Sequence, residues 1–245
     1  LAPRLGLAHP LARPVRSALL VAMYGLVIFT VSFMAVINTV FAQQAPDFAA
    51  QAGGQFDLVL DSNNTNPIGQ DELDTRDDVA LAVPIQRGLI AYEARGETLE
   101  RWSSVIPSSF PGDLGMVTTE RSPEFTSDAA FWTAMAEGQP LVAVPEWFDL
   151  DLGEALVVSD PSGEETTVRV GATTDMNWAI GSGIFLNSAL AANLIDAGGP
   201  VTRHFVLAAN DGEELAANMN DQFRRQGADA RTFLTVANDE VGEQE

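Results

Sequence analysis

The sequence predicts an α+β protein: one N-terminal transmembrane helix, then an extracytoplasmic domain with two β-α-β units around a β-rich insertion. Three observations carry this reading. An uncharged run separates Arg16 from Asp47, long enough to cross a bilayer. His204 to Val236 alternates strand, helix and strand signals. Phe56 to Val83 repeats that alternation near the other end of the outer part.

The core of the apolar run, Ser17 to Phe41, has 25 residues, of which 13 are Leu, Ile, Val or Phe. A helix of that length reaches about 37 Å, enough for a hydrocarbon core of about 30 Å with some tilt. Its large apolar side chains favour the bilayer by about 4 to 8 kcal/mol. Before the run lie Arg4, Arg13 and Arg16 and no acid; after it come 10 arginines and all 34 acidic residues, a net of −24. Arginines on one flank mark the cytoplasmic side. The expected boundaries are a cytoplasmic or interfacial lead over 1–16, a transmembrane helix over 17–43 and an extracytoplasmic domain over 44–245. A cleaved signal peptide is the competing reading, because Val40-Phe41-Ala42 resembles a small-residue cleavage site. The apolar stretch is far longer than the usual signal core of about 7 to 15 residues, which favours the spanning helix.

Composition sets further bounds. The chain has no cysteine, so it has no disulfide framework and no thiolate metal site. It has no lysine; all 13 basic residues are arginine. That excludes a P-loop lysine and a Schiff-base lysine. Strong negative charge repels nucleic acid and anionic lipid head groups, and reads as solvation in high salt. The chain opens at Leu1 with sequence already running toward the membrane, and it is expected to be part of a longer protein.

The elements follow in order. Leu1 to Val15 is Pro-interrupted and Arg-bearing, with Leu5, Leu7 and Leu11 as interfacial contacts. Within the span, Ala18, Ala22 and Gly25 put small side chains near one face, where another helix could pack closely. Gln43 to Gln55 reads as a polar exit, continued as a helix and ended by Gly53-Gly54. Phe56 to Leu60 is a strand, and Ser62 to Pro67 is a turn cluster leading to a short acidic helix through Leu73. Val79 to Val83 and Gly88 to Ala94 read as two strands, with Arg95-Gly96 as a turn. Thr126-Ser127-Asp128 offers N-cap chemistry for a helix to Glu137, ended by Gly138. Leu141 to Val144 is a buried strand. Ala155 to Ser159 and Thr166 to Ala172 flank Asp160-Pro161-Ser162-Gly163, a hairpin signal. Ile184 to Leu186 is a strand leading to a helix over Ser188 to Ala197. His204 to Ala208 is a strand; Asp211 and Glu214 have capping-box spacing; Leu215, Met219 and Phe223 share a helix face; Gly227 closes that helix; and Arg231 to Val236 is the next strand. Units at 56–95 and 204–237 around an insertion at 96–203 predict a split ferredoxin-like module.

Candidate chemistry is sparse, and the expectation is no catalytic, cofactor-binding or metal-binding residue in this chain. His204 is the one histidine of the outer part, since His9 precedes the span. It sits in an expected strand without a nucleophile elbow, and Gly181-Ser182-Gly183 lacks that spacing. Two acidic groups, Asp149 with Asp151 and Glu154, and Asp71 with Glu72, Asp74, Asp77 and Asp78, do not follow the EF-hand pattern and read as solvated faces. Trp102, Trp132, Trp147 and Trp178 read as core rather than ligand platforms. Asn63-Asn64-Thr65 satisfies the N-glycosylation pattern in an outward turn.

Three stretches together resemble the FtsX/MacB/LolC-type permeases of ABC transporters. The first is the Pro/Arg lead LAHPLARPVRSAL entering a hydrophobic helix within Arg4 to Met34. The second, within Phe148 to Ile195, is the hairpin LGEALVVSDPSGEETTVRVGATT followed by GSGIFLNSALAANLI. The third is the strand-helix-strand of Val206 to Phe233, ending GADARTF. Glu97 to Arg121 match poorly. The resemblance implies a ferredoxin-like porter part with a β-rich insertion and no enzymatic site. ATP would be bound by a separate cytoplasmic ABC ATPase subunit. It also implies a second permease copy in a dimer, and an exported substrate or extracytoplasmic partner protein. The alternative is a single-pass, membrane-anchored sensor or binding module. Neither reading involves nucleic acid.

Overall fold

The computed structural model describes residues 14–94, 97–159, 163–175, 180, 183–192, 194 and 199–242. The chain divides into two units, Leu1–Gln44 and Ala45–Glu245. Helix α1 (Pro14–Gly53) supplies the described residues of the first unit and the opening of the second.

In the first unit, Ala18–Ile37 has a mean hydropathy of 2.4 and is wholly unburied. It is long and apolar enough to cross a membrane. Two threonine hydroxyls of the helix bond back to it: Thr30 Oγ1 donates to the Leu26 carbonyl and Thr39 Oγ1 to that of Ala35. Such back-bonding satisfies each hydroxyl without a partner from outside the helix. A Cβ at Gly25 would meet no other atom within 4 Å.

The last turns of α1, Ala45 to Gly53, belong to the second unit. Ala52 is buried in its core, with Phe48 and Ala49 packed against the same cluster. Pro46 removes one N–H donor from the helical ladder. Gly53 lies flat on the Phe233 ring, and Gly54 ends the helix at φ +65°.

The second unit is built on β1 (Leu58–Asp61), α2 (Gln70–Asp74), β2 (Val79–Ala94), β3 (Glu97–Ile106), β4 (Glu120–Arg121), α3 (Asp128–Ala136) and β5 (Leu141–Pro145). It continues through β6 (Ala155–Ser159), β7 (Glu165–Thr174), β8 (Phe185–Asn187), α4 (Ser188–Ala191), β9 (Arg203–Ala208), α5 (Gly212–Gln222), β10 (Asp229–Thr232) and α6 (Phe233–Gly242).

One part of the sheet runs β10-β1-β9-β2, every pair antiparallel. Alternation along these strands divides the core. Leu58, Leu60, Ala82 and Val206 face α2 and α5 with Leu73, Leu215, Met219 and Phe223. Val59, Val83, Ile85 and Phe205 face the other way, onto Phe56, Phe110, Trp132 and Phe233. The second part begins where β2 runs on past Ile85. It pairs with β3, then parallel β8, then β5, parallel β7 and β6, and β6 pairs again with β2. That ring of strands encloses Ile90, Tyr92, Val142, Val144, Leu156, Val158, Val168, Val170 and Leu186.

Three sequence expectations are corrected. The strands expected at Val79 to Val83 and Gly88 to Ala94 are one continuous strand. Pro84 does not break it, because at Val79 to Ile85 β2 pairs with β9 alone and a missing donor costs no ladder bond. The expected strand from Arg231 to Val236 stops at Thr232, and helix α6 takes over. Thr232 Oγ1 accepts the Thr235 N–H, starting the helix, and Phe233, Val236 and Ala237 turn to the core at helical spacing. The helix expected over Ser188 to Ala197 is also shorter: it stops at Ala191, with Ala192 as its cap and the Leu194 N–H turning back onto the Ala191 carbonyl. The expected turn at Arg95-Gly96 lies outside the described residues.

The outer edge of β10 is covered by a side chain. Asn220 of α5 donates its Nδ2 to the Ala230 carbonyl and accepts the Ala230 N–H on Oδ1, both at 2.8 Å.

Candidate functional site

His204 is the second residue of β9, opposite Leu60 on one side and Pro84 on the other, and is 1% exposed. Burial pushes it down to about 4, against the upward pull of Asp74 and then Asp61. Its Nδ1 has no hydrogen-bond partner. A neutral imidazole sealed between two strands offers no substrate a proton.

Its neighbour Arg203 is the most deeply placed charge among the described residues, 3% exposed. Arg203 and Asp61 face each other across the β1–β9 ladder and pair through one guanidinium edge, Nε donating to Oδ1 and Nη2 to Oδ2. The remaining amino group donates to the Ile180 carbonyl. Burial and the nearby Arg203 charge lower Arg87, with Asp61 opposing them. Arg87 lies on β2 just past Ile85, where the strand passes from the four-stranded part to the strand ring.

From this junction an aromatic surface opens outward. Trp102 of β3 is 55% exposed and pairs across the ladder with Leu89 of β2, itself exposed. The Arg87 guanidinium lies over the Trp102 ring, 5.5 Å from its centre. Trp147 is 52% exposed, with the Arg101 guanidinium 6.0 Å from its ring centre and Phe148 packed against its edge. A guanidinium over an indole holds a flat, apolar and cationic platform that stays in water. Such side chains supply much of the energy in protein contacts.

The core reading therefore fits Trp132, which is fully buried and donates Nε1–H to the Met116 carbonyl. It is corrected for Trp102 and Trp147, which stand on outward positions. Trp178 lies outside the described residues. Period-two alternation along β3 could have placed Trp102 outside, with Glu100 and Thr98 on the same face. No local pattern marks Arg203, since its pairing with Asp61 across 142 positions exists in the fold alone.

The acidic groups are engaged locally. Glu72 Oε2 accepts the Gly69 N–H and the Gln226 amide, and Asp74 accepts from Gln70. Asp78 pairs with Arg76, whose hydrogen bond holds its carboxyl below the usual range. Glu154 Oε2 accepts the Asp151 N–H. Among the described residues no three His, Asp or Glu converge to hold a metal. A shallow concavity at the start of α5 is lined by Asp78, Asn210, Asp211 and Glu214, and brings no histidine to these acids. Gly181 and Ser182 lie outside the described residues.

No protein-family model matches the chain, and no curated protein matches its sequence. In structure it is similar to the periplasmic region of MacB from Actinobacillus actinomycetemcomitans, at 9% identity and a TM-score of 0.45, covering 76% of this chain and 92% of that one. It is also similar to the extracellular domain of the noncanonic ABC-type transporter YknZ from Gram-positive bacteria. There identity is 11% and the TM-score 0.41, covering 72% of this chain and 98% of that one.

Proposed function

We propose that the chain is a non-catalytic permease subunit of an ABC-type export or mechanotransmission complex. A separate cytoplasmic ATPase supplies the energy, and a second permease copy completes the pair. The acidic unit lies outside the membrane and handles an exported substrate or an extracytoplasmic partner protein.

One observation carries this reading: the helix that holds the apolar window also ends inside the core of the outer unit. Ala52 is buried there and Gly53 rests on Phe233. These last turns, Ala45 to Gly53, belong to the outer unit's own core, so a movement imposed on them acts on packed side chains. Work on a ligand then requires different contacts in two states of the outer unit. The Trp102 and Trp147 platforms are the surface we assign to such contacts. The strand order β10-β1-β9-β2, fourth-first-third-second within the two β-α-β units, supports the ferredoxin-like porter reading. The ring of strands from β2 through β8 is then the inserted part.

The test is affinity purification of the full-length protein from its own membranes. A P-loop ATPase is expected to copurify in stoichiometric amount, and its nucleotide hydrolysis is expected to slow when Trp102 and Trp147 are both changed to alanine. Recovery of the full-length protein without an ATPase, before and after cross-linking in intact cells, overturns the proposal in favour of an anchored binding module.

A further inference from the structure

The turn between β1 and α2 carries a motif that the permease role does not use. Asn63-Asn64-Thr65 is the one Asn-x-Ser/Thr triplet in the 245 residues. Positions 63–66 are all exposed. The Asn66 N–H closes the turn onto the Asn63 carbonyl at 3.1 Å. The Asn63 N–H is anchored on the Gln226 carbonyl at 2.8 Å, which fixes the turn against the end of α5.

The side chain of Asn63 is held at one end. Its Oδ1 accepts both the N–H and the hydroxyl of Thr65, each at 2.9 Å. Its Nδ2 donates no hydrogen bond among the described residues. The amide nitrogen is thus left free by the same threonine that completes the triplet. The nearest wall is kept low by Gly227, at φ +67°, where a Cβ would lie 3.3 Å from the Asn63 Cβ and 4.0 Å from Nδ2. The outer placement of this unit puts the turn on the side where lipid-linked sugars are transferred.

We propose that Asn63 is an N-glycosylation site. The donor is an oligosaccharide linked to a polyprenyl phosphate, delivered by a membrane transferase. Nδ2 attacks the anomeric carbon of the first sugar and forms an N–C bond. The bond from that carbon to the phosphate oxygen breaks, and the lipid phosphate leaves with the electron pair. One Nδ2 proton passes to a base of the transferase. The product keeps Oδ1, so the turn's two hydrogen bonds from Thr65 survive the modification.

The inference rests on the outer placement of the second unit, and the experiment separates the two. The full-length protein is purified from the membranes of its native host, and the peptide holding Asn63 is read by mass spectrometry. Wild type and Thr65→Ser are expected to carry a sugar mass on Asn63. Asn63→Asp, which keeps the turn's oxygen acceptor but removes the nitrogen, and Thr65→Ala are expected to lose it completely. In parallel, Asn210→Cys gives this cysteine-free chain one exposed thiol, labelled on intact cells with a membrane-impermeant maleimide. An unmodified Asn63 with a labelled thiol overturns the glycosylation alone. An unmodified Asn63 with an unlabelled thiol overturns the outer placement and the glycosylation together.

Discussion

Arg203 and Asp61 sit directly opposite each other on β9 and β1 and share two hydrogen bonds, Nε to Oδ1 at 2.7 Å and Nη2 to Oδ2 at 2.6 Å. Removing the carboxylate with Asp61→Ala leaves a guanidinium in the interior with no counter-charge. The expected loss is roughly 3–5 kcal/mol. Replacing both partners together, Asp61→Leu with Arg203→Met, is expected to recover most of that loss. Denaturant unfolding of the detergent-solubilised chain, followed by tryptophan fluorescence, compares the two.

His204 gives the fold an acid sensitivity of known sign. Its folded-state value is about 4, below the ordinary 6.5, so between those values the unfolded chain binds the extra proton. Stability from this group is complete above pH 6.5 and declines as pH falls toward 4. The full span is about 3 kcal/mol. Melting temperatures measured across that window are expected to fall in wild type. His204→Leu is expected to remove this component of the slope.

The tryptophans separate stability from contact. Trp132→Ala empties a fully buried site and severs the bond to Met116, for an expected loss of about 3–5 kcal/mol. Trp102→Ala removes a ring that is mostly in water and is expected to change stability by no more than about 0.5 kcal/mol. If the platform makes the outer contact, Trp102→Ala instead weakens capture of the copurifying partner. Equal stability with unchanged capture would remove Trp102 from the contact surface.

Gly53→Ala tests how the end of α1 is seated. The added methyl would fall 2.2 Å from the Phe233 ring, so the helix end or α6 has to move. Overpacking of this kind costs about 1–3 kcal/mol. Thermal unfolding is expected to shift downward, while carbonate extraction still finds the protein in the membrane fraction.

The parts of this fold legible in the sequence were those set by local chemistry. Ser127 accepts the Ala130 N–H at the start of α3, and Asp211 accepts two N–H groups at the start of α5, as their spacing predicted. Gly138 and Gly227 end helices in the left-handed region. Phe233 to Val236 reads as strand because branched and aromatic side chains suit a strand locally, whereas the deciding force is the core that Phe233 and Val236 enter together. The surface around Trp102 and Trp147 was hidden for a related reason. Trp102 in its strand has two faces to choose from and Trp147 sits in a single helical turn after β5; Arg87 and Arg101 stabilise their outward placement from positions that sequence distance does not connect.

The amide of Asn220 occupies the margin of β10 as a further strand would, giving one hydrogen bond to Ala230 and taking one from it. An intruding chain must first evict that amide before it can zip on, and the acid-rich flank repels a second copy of this protein in the same place. At Ala230 the β10 edge thus offers no free backbone pair to an incoming strand.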